Sequence, residues 1–254
     1  MYILKDLLQL MSTKNASDLH LSIGSPPRIR INGDLKPIEG DKLIPEQIEN
    51  LLKEYLNEDN IQKIKNGKEL DFTIGIPGLS RYRVNAFKQR GNLVATFRRL
   101  PFDIPNIQNL GLPDTILKLT ETRKGLILIT GGTGSGKSTT LAAMVQKIST
   151  ELNGHIITIE DPIEYLYSHS KALINQREIG IDSPSYATAL KSSLRQDPDL
   201  VVVGELRDPE SMATALTIAE TGHLVFATLH TNNAAGTITR LVDVFPPEKQ
   251  EIVR

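Results

Sequence analysis

Four short apolar runs alternate with helical patterns in the second half of the chain. The runs, built mainly from leucine and β-branched residues, are Leu126–Thr130, Ile156–Ile159, Leu200–Val203 and Leu224–Ala227. Strands of this composition are typical of a parallel sheet buried on both faces. Between the runs, apolar residues recur with a period of 3.6, at Leu141, Met144, Val145 and Ile148 and at Met212, Ala215, Leu216 and Ala219. The alternation predicts a doubly wound α/β fold with a mainly parallel sheet, which binds its ligand at the carboxyl ends of the strands.

The first half of the chain has the shorter period of an antiparallel sheet. Residues 28–35 alternate between polar and apolar positions around the hairpin signal Asn32-Gly33. Turn signals separate three further predicted strands, Phe72–Ile76, Tyr82–Lys88 and Leu93–Arg99. Helices are predicted over Pro45–Leu56 and at the N-terminus, where one face carries Leu4, Leu7, Leu8 and Met11. The first half is therefore predicted to be a small α+β domain.

A proline-rich stretch over residues 101–113 separates the two patterns. We interpret it as an interdomain linker, which predicts one domain over residues 1–100 and a second over 114–254. The last nine residues, from Pro246 onwards, begin like a helix, with proline at its start and glutamate in its first turn, and no stop signal follows. We therefore expect the second domain to be truncated at its C-terminus.

Residues 131–138 read Gly-Gly-Thr-Gly-Ser-Gly-Lys-Ser and lie between an apolar run and a helical pattern. They match the phosphate-binding loop G-x-x-x-x-G-K-[ST] at every fixed position, in the strand-loop-helix context that the motif needs. A flexible glycine-serine linker would not have these neighbours. In such a loop Lys137 can reach the β- and γ-phosphates and Ser138 can offer its hydroxyl to Mg²⁺. The predicted ATP-binding residues are Gly131, Gly132, Thr133, Gly134, Ser135, Gly136, Lys137, Ser138 and Thr139.

Carboxylates follow two of the predicted strands. Glu205 comes directly after an apolar strand and a glycine, where a charged side chain is rarely placed for packing. We interpret it as the Walker B acid, which polarises water or holds Mg²⁺ together with Ser138; the alternative is a surface carboxylate at a strand end. Glu160, Asp161 and Glu164 follow another strand. Either Glu160 or Glu164 can supply the general base or a second contact to metal-bound water, and spacing does not choose between them.

Two histidines flank the last predicted strand. His223 and His230 are seven residues apart, which places their rings on opposite faces of a strand and about 20 Å apart, too far to share a metal ion. His230 follows the carboxyl end, where a sensor of the γ-phosphate would lie. His223 begins the strand, and its ordinary interpretation is structural.

Residues 72–102 contain no acid but six basic residues, namely Arg81, Arg83, Lys88, Arg90, Arg98 and Arg99. On strands, Arg81 and Arg83 share a face, whereas Arg98 and Arg99 point to opposite faces. Three interpretations are open: a solvated sheet face, a nucleic-acid surface, and arginine fingers that reach a neighbouring ATP site. From the residues alone, the solvated face is favoured.

Composition narrows the function classes. The 254 residues are 39% hydrophobic and 23% charged, which is ordinary for a globular protein. A net charge of −1 gives no global case for nucleic acid or an anionic membrane. The absence of cysteine excludes disulfides, thiolate metal sites and cysteine catalysis, and no apolar run approaches the length of a transmembrane segment. We expect a cytoplasmic protein.

Several segments together resemble the secretion ATPase superfamily and, within it, the PilT-like retraction ATPases of type IV pili. Residues 16–21 are similar to the N-terminal signature, and residues 109–113 lead into the phosphate loop as they do in the family. Residues 157–164 resemble the family's Asp box, residues 194–208 its Walker B motif and residues 221–232 its His box. The resemblance covers nearly the whole chain, with the motifs in the family's order.

The resemblance implies a homo-hexameric motor in which a PAS-like N-terminal domain is joined by a hinge to a RecA-like P-loop domain. ATP and Mg²⁺ would bind between the domains, and basic residues of the first domain, with Arg83 and Arg98 as candidates, would complete the site as arginine fingers. Closure of one domain on the other would turn hydrolysis into motion. The motor would lie at the inner membrane through a pilus platform protein, its partner.

Two features favour pilus retraction, and hence twitching motility. The chain begins directly at the predicted first domain, and residues 18–21 read Asp-Leu-His-Leu, where assembly relatives more often have Asp-Ile-His followed by an acidic residue. The same chemistry also fits a pilus-assembly, type II secretion or DNA-uptake motor. Two further hypotheses are a nucleic-acid-binding module regulated by ATP and a chain that binds nucleotide but is too short to form a hexamer.

Overall fold

The computed structural model describes residues 2–101, 103–231, 233–248 and 250. The chain divides into two compact units, Met1–Phe102 and Asp103–Arg254. The three-part division into residues 1–100, 101–113 and 114–254 stays a prediction. The helix predicted from Pro246 onwards lies largely outside the described residues.

The first unit is an antiparallel sheet with helices. Its elements are α1 (Leu4–Thr13), β1 (Asp18–Leu21), β2 (Arg28–Ile31), β3 (Asp34–Pro37), α2 (Pro45–Lys53), α3 (Glu58–Lys65), β4 (Leu70–Ile76), β5 (Ser80–Gln89) and β6 (Asn92–Arg99). The strand order is β3-β2-β1-β6-β5-β4, and every pair is antiparallel. The antiparallel set predicted from turn signals is confirmed.

Local chemistry explains where these elements end. Asn32 and Gly33 both have positive φ (50° and 89°), the backbone that a two-residue hairpin turn needs between β2 and β3. The predicted helix over Pro45–Leu56 is wrong in length, because α2 ends at Lys53 and a separate α3 follows. The side chain of Asn57 accepts a hydrogen bond from Asn60 N (2.9 Å) and starts α3.

Among the described residues, the hydrophobic core of the first unit lies on one face of its sheet. Along β5, Tyr82, Val84 and Ala86 are fully buried against helix residues such as Leu8 and Ile48. The alternate residues of β5, from Arg81 onwards, are only partly buried and lie on the other face. The prediction that Arg81 and Arg83 share a face is therefore confirmed.

The second unit alternates strands and helices. Its elements are a short 3₁₀ helix (Ile107–Leu110), α4 (Asp114–Leu119), β7 (Gly125–Thr130), α5 (Lys137–Glu151), β8 (His155–Glu160), β9 (Leu173–Glu178), α6 (Tyr186–Ser193), β10 (Leu200–Val203), α7 (Pro209–Glu220), β11 (Leu224–Leu229) and α8 (Ala234–Asp243). The sheet order is β7-β11-β10-β8-β9, with every pair parallel. The predicted α/β fold with a parallel sheet is confirmed, and β9 is an additional edge strand.

Helices cover both faces of the parallel sheet. Residues of α6 and α7, such as Leu190 and Met212, pack with Val201 and Val203 on one face. On the other face, α5 packs against the alternate strand positions, and Ile107 from the predicted linker is buried there too. Because helices cover both faces of the sheet, we expect a ligand to bind at its edges and loops.

The strand register aligns the carboxyl ends of β7, β11, β10 and β8. Thr130 pairs with Leu229, and Val203 lies beside Ala227 and Ile159. The chain therefore leaves four neighbouring strands at the same edge of the sheet. The residues that follow these strands form the candidate site.

Candidate functional site

The loop between β7 and α5 has the backbone of a phosphate-binding loop. Gly131 has φ 154° and Gly136 has φ 91°, conformations that favour glycine. A Cβ on Gly131 would lie 2.5 Å from Ser135 Oγ, so no larger residue fits without rearrangement. Ser135 Oγ in turn donates to Gly132 O at 2.8 Å and closes the turn.

The N-terminus of α5 is left open for an anion. Its N-cap is Gly136, no side chain caps the helix, and its first turn contains no acidic residue. By contrast, Ser185, Asp208 and Asn233 cap α6, α7 and α8 through side-chain oxygens. The free N–H groups and the helix dipole of α5 suit phosphate oxygens.

Lys137, the first residue of α5, points back over the loop. Its Nζ donates to Gly131 O (2.9 Å) and Gly132 O (2.8 Å). The ammonium group is thus held at the loop by neutral carbonyls, and no carboxylate in the described part of the chain pairs with it. A cation held this way is available to an anionic ligand.

Glu205 and His230, which follow different strands, come together at the carboxyl edge. The Oε1 atom of Glu205 lies 3.4 Å from Nε2 of His230, and its Oε2 atom accepts from Nε of Arg207 at 2.7 Å. Glu205 has 21% of its side chain exposed and His230 has 46%, so solvent reaches both. From the sequence, these two residues were predicted only to follow separate strands. The structure brings them within 3.4 Å of each other.

Arg207 is a residue that the sequence analysis missed. Besides its bond to Glu205, its Nη1 lies 3.6 Å from Asp161 Oδ2, so it bridges the acids that follow β10 and β8. The hydrogen bond to Glu205 raises the pKa of Arg207. The available signal was an arginine two residues after a strand-end glutamate.

Glu160 ends β8 and is enclosed by hydrogen-bond donors. Its Oε1 accepts from Thr158 Oγ1 (2.7 Å) and from Gln176 Nε2 (3.2 Å). Burial raises the pKa of Glu160, while the hydrogen bonds from these two side chains and from the backbone of Glu164 act in the opposite direction. Burial is the largest effect, so Glu160 holds a proton more tightly than an ordinary glutamate.

The strand β9 supports the acidic segment. Gln176 accepts from Tyr167 N (2.8 Å) and donates to Tyr165 O (2.8 Å), and Glu178 accepts from Ile163 N (3.1 Å). The hydroxyl of Tyr165 lies 3.2 Å from Thr139 Oγ1, next to the end of the phosphate loop. The polar side chains of β9 therefore hold the backbone of the segment that carries Glu164.

Close approach of β10 and β8 depends on Gly204. A Cβ at this position would lie 3.3 Å from Glu160 Cα and 3.4 Å from Ile159 O, both backbone atoms. Gly204 N also donates to Ile159 O at 2.8 Å. A glycine before Glu205 thus sets the spacing between the two acids.

His223 lies apart from this edge. It precedes β11, whereas His230 follows it, and its Nδ1 lies 3.2 Å from Thr221 Oγ1. Within the described ranges, no group of three or more histidine, aspartate or glutamate side chains could hold a metal ion.

The arginine candidates lie on the polar face of the first unit's sheet. Arg83 and Arg98 pair directly across β5 and β6. Arg83 Nε donates to Asp71 (3.0 Å), and Arg98 Nε donates to Asp18 (2.9 Å). Burial of Asp18 opposes ionisation, but hydrogen bonds from Ser17 and Arg98 outweigh it and lower the pKa of Asp18. The basic stretch is therefore partly balanced by acids outside it.

The fold and the loop together define a P-loop nucleotide-binding protein with a RecA-like core. A family model for "Type II/IV secretion system protein" matches residues 3–250, and the chain belongs to this family. The resemblance predicted from the ordered motifs is confirmed. No helix within the described residues is long and apolar enough to cross a bilayer.

Among curated proteins, the chain is similar to pilus motors. It is 46% identical to the type IV pilus retractation ATPase PilT of Pseudomonas aeruginosa, over 98% of this chain and 72% of that protein. It is 46% identical to a twitching motility protein of Neisseria gonorrhoeae, over 90% of this chain and 61% of that one. The chain spans between 61% and 76% of the length of these and two further relatives.

Solved structures agree with this similarity. The pilus retraction motor PilT with bound ADP superposes with a TM-score of 0.95 at 48% identity, over all of this chain and 74% of that one. The ATPase DotB of Legionella pneumophila superposes with a TM-score of 0.86 at 32% identity, over 98% of this chain and 72% of that one.

Proposed function

We propose that this chain is the ATPase subunit of a motor that retracts type IV pili. The observation that carries the proposal is that one edge of a parallel sheet brings together a phosphate loop with an uncapped helix, Glu205 with His230, and the partly buried Glu160. The similarity to PilT over 98% of the chain supports the choice of motor.

In the proposed site, the loop over residues 131–139 binds the phosphates of ATP. The backbone N–H groups of the loop and the start of α5 face the phosphate oxygens, and Lys137 moves from the loop carbonyls to the β- and γ-phosphates. The ammonium then neutralises charge as the γ-phosphoryl group leaves.

Ser138 and Glu205 would hold Mg²⁺. A hydroxyl and a carboxylate suit this cation, which commonly takes one or two protein oxygens together with substrate phosphates and water. When bound, the cation supplies charge neutralisation on the phosphates. Arg207 is hydrogen-bonded to Glu205 in this structure. We therefore expect Arg207 to turn towards Asp161 when Glu205 binds Mg²⁺.

Glu160 is the proposed general base, in preference to Glu164. Its donors fix it at the strand end, and burial raises its pKa, which makes it a stronger proton acceptor. Glu160 takes a proton from water, the oxygen of that water attacks the γ-phosphorus, and the bond to the bridging oxygen breaks to release ADP. His230, beside Glu205, is the proposed sensor of the γ-phosphate.

The assembly is also a proposal. By analogy with the family, six chains form a ring in the cytoplasm at the inner membrane, where the partner is the pilus platform protein. Arg83 and Arg98 of a PAS-like domain are the proposed arginine fingers, which reach the ATP site on the RecA-like domain of a neighbouring chain. Arg98 supports this role because 69% of its side chain is exposed.

Replacement of Lys137 by alanine tests the proposal. We expect purified Lys137→Ala protein to lose ATP hydrolysis, and cells with this change at the native locus to accumulate pili and lose twitching. Lys147→Ala is the matched control, because Lys147 lies on the same helix and pairs only with exposed Glu151 among the described residues.

The cellular result separates the alternatives. Bald cells would indicate an assembly motor, and unchanged piliation would favour secretion or DNA uptake. Wild-type hydrolysis by Lys137→Ala would exclude this loop as the hydrolytic site.

A further inference from the structure

We propose that Gln176 is a positioning residue for ATP hydrolysis, which holds the Glu160 carboxylate and ties it to the phosphate-loop helix. The inference rests on the proposed function, because it takes Glu160 as the base. Gln176 lies on the edge strand β9, outside the motifs that mark the family in this sequence.

The amide of Gln176 uses both of its N–H donors and its oxygen. Nε2 donates to Glu160 Oε1 (3.2 Å) and to Tyr165 O (2.8 Å), while Oε1 accepts from Tyr167 N (2.8 Å). A backbone N–H can only donate and a backbone carbonyl can only accept, so the partners fix which end of the amide faces Glu160. Gln176 therefore presents an N–H group to the carboxylate.

Strand register makes this contact reproducible. Thr158 of β8 and Gln176 of β9 are directly opposite partners, and both side chains reach the Oε1 atom of Glu160. Two donors fill the accepting capacity of Oε1. Proton transfer is thus assigned to the other carboxylate oxygen, Oε2, and a small rotation of the carboxylate away from these donors would weaken both hydrogen bonds at once.

The same amide connects Glu160 to the phosphate loop. Gln176 holds the carbonyl of Tyr165, whose hydroxyl lies 3.2 Å from Thr139 Oγ1 on α5. Tyr165 is 7% exposed, so this link runs through the interior. Displacement of Gln176 would shift the base relative to the loop, without removing any group that we assign to phosphate binding.

This placement predicts an effect on turnover rather than on binding. In Gln176→Leu we expect kcat to fall by about 10²-fold, the effect of misplacing a catalytic group by about 1 Å, with KM for ATP and affinity for ADP within about twofold of wild type. Asn175→Leu is the matched control, because Asn175 is the adjacent amide, lies on the opposite face and bonds His155 instead. We expect its kcat to be that of wild type.

Two further variants separate positioning from a local structural role. Thr158→Val removes the other donor to Oε1 without touching the segment around Tyr165, and it should lower kcat with the same unchanged KM. In a Glu160→Gln background, the addition of Gln176→Leu should leave the residual kcat unchanged, because the effect acts through Glu160.

Three results would overturn the inference. If Gln176→Leu has the kcat of wild type while Glu160→Gln is inactive, the positioning role of Gln176 is excluded and the base role of Glu160 is retained. If Gln176→Leu lowers kcat equally in the wild-type and the Glu160→Gln backgrounds and also weakens ADP binding, Gln176 has a general structural role. A wild-type kcat in Glu160→Gln, with Lys137→Ala inactive, would remove the base assignment of the proposed function and this inference with it.

Discussion

Glu160 is a partly buried carboxylate that accepts hydrogen bonds from two neighbouring side chains. Burial raises its pKa above the ordinary value, against the hydrogen bonds from Thr158 and Gln176. Because its folded pKa is raised, its contribution to stability is fully present at low pH and is lost as pH rises through the folded pKa. Above its folded pKa the ionised group costs stability, which is the expected condition of a base held ready to take a proton.

Glu160→Gln should therefore separate stability from activity. We expect kcat to fall by about 10²-fold or more, because the base is lost. At pH 8 the midpoint of thermal unfolding should rise relative to wild type, and the gain should shrink towards pH 4, where wild-type Glu160 is protonated. Scanning calorimetry at both pH values measures this difference.

Glu164→Gln is the comparison variant for that experiment. It neutralises a carboxylate four residues away in the same segment. If Glu164→Gln abolishes turnover and Glu160→Gln does not, then Glu164 is the base. A loss of stability in Glu160→Gln at both pH values would contradict the argument from burial.

Single residues differ in how far the sequence could identify them. Lys137, Glu205 and His230 were predicted as site residues because each follows a strand or lies in a motif with fixed spacing. Gln176 was not, because Glu160 is sixteen residues away and only the parallel pairing of β8 with β9 brings them together. A side chain whose role is set by a distant hydrogen-bond partner leaves no local pattern.

At the scale of elements, burial on both faces decided what could be predicted. The strands β7, β8, β10 and β11 were recognised from their apolar runs. The edge strand β9 was missed because only Leu173 and Ile174 of its six residues are apolar. The helix α3 was missed because its short sequence buries only Ile61 and Ile64.

Gly204 allows a test of element packing. We expect Gly204→Ala to lower the free energy of unfolding by about 1–3 kcal/mol, the usual effect of overpacking, because its Cβ would meet backbone atoms of β8 at 3.3 and 3.4 Å. Turnover should fall as well, since Glu205 and Glu160 would move apart. Urea unfolding and steady-state hydrolysis measure the two effects.

Gly75→Ala is the strand-glycine control. The nearest atom to its Cβ would be a flexible side-chain carbon, Arg81 Cγ at 3.8 Å, which is an ordinary contact. The free energy of unfolding of Gly75→Ala should lie between the wild-type value and about 0.5 kcal/mol above it, because alanine restricts the unfolded chain. Equal behaviour of the two variants would show that spacing between β10 and β8 is not tight.

At the scale of the whole molecule, the two units have separate hydrophobic cores and carry different candidate functional residues. The first unit packs α1 to α3 on one face of its sheet and leaves a polar face with Arg83 and Arg98. The second unit covers its sheet on both faces and carries the phosphate loop and the acids. Nucleotide binding should therefore stabilise the second unit directly.

Nucleotide should affect the unfolding of the two units differently. With ADP and Mg²⁺ at about 100 times Kd, we expect the second unit to gain about 2.7 kcal/mol. Met212→Ala should lower the transition of the second unit and Met11→Ala that of the first, since both side chains are fully buried, and this assigns the two transitions. ADP should raise only the transition that Met212→Ala lowers, and Lys137→Ala should abolish the rise. An equal rise in the transition marked by Met11→Ala would instead mean that the first unit also binds ADP, or that the two units unfold as one.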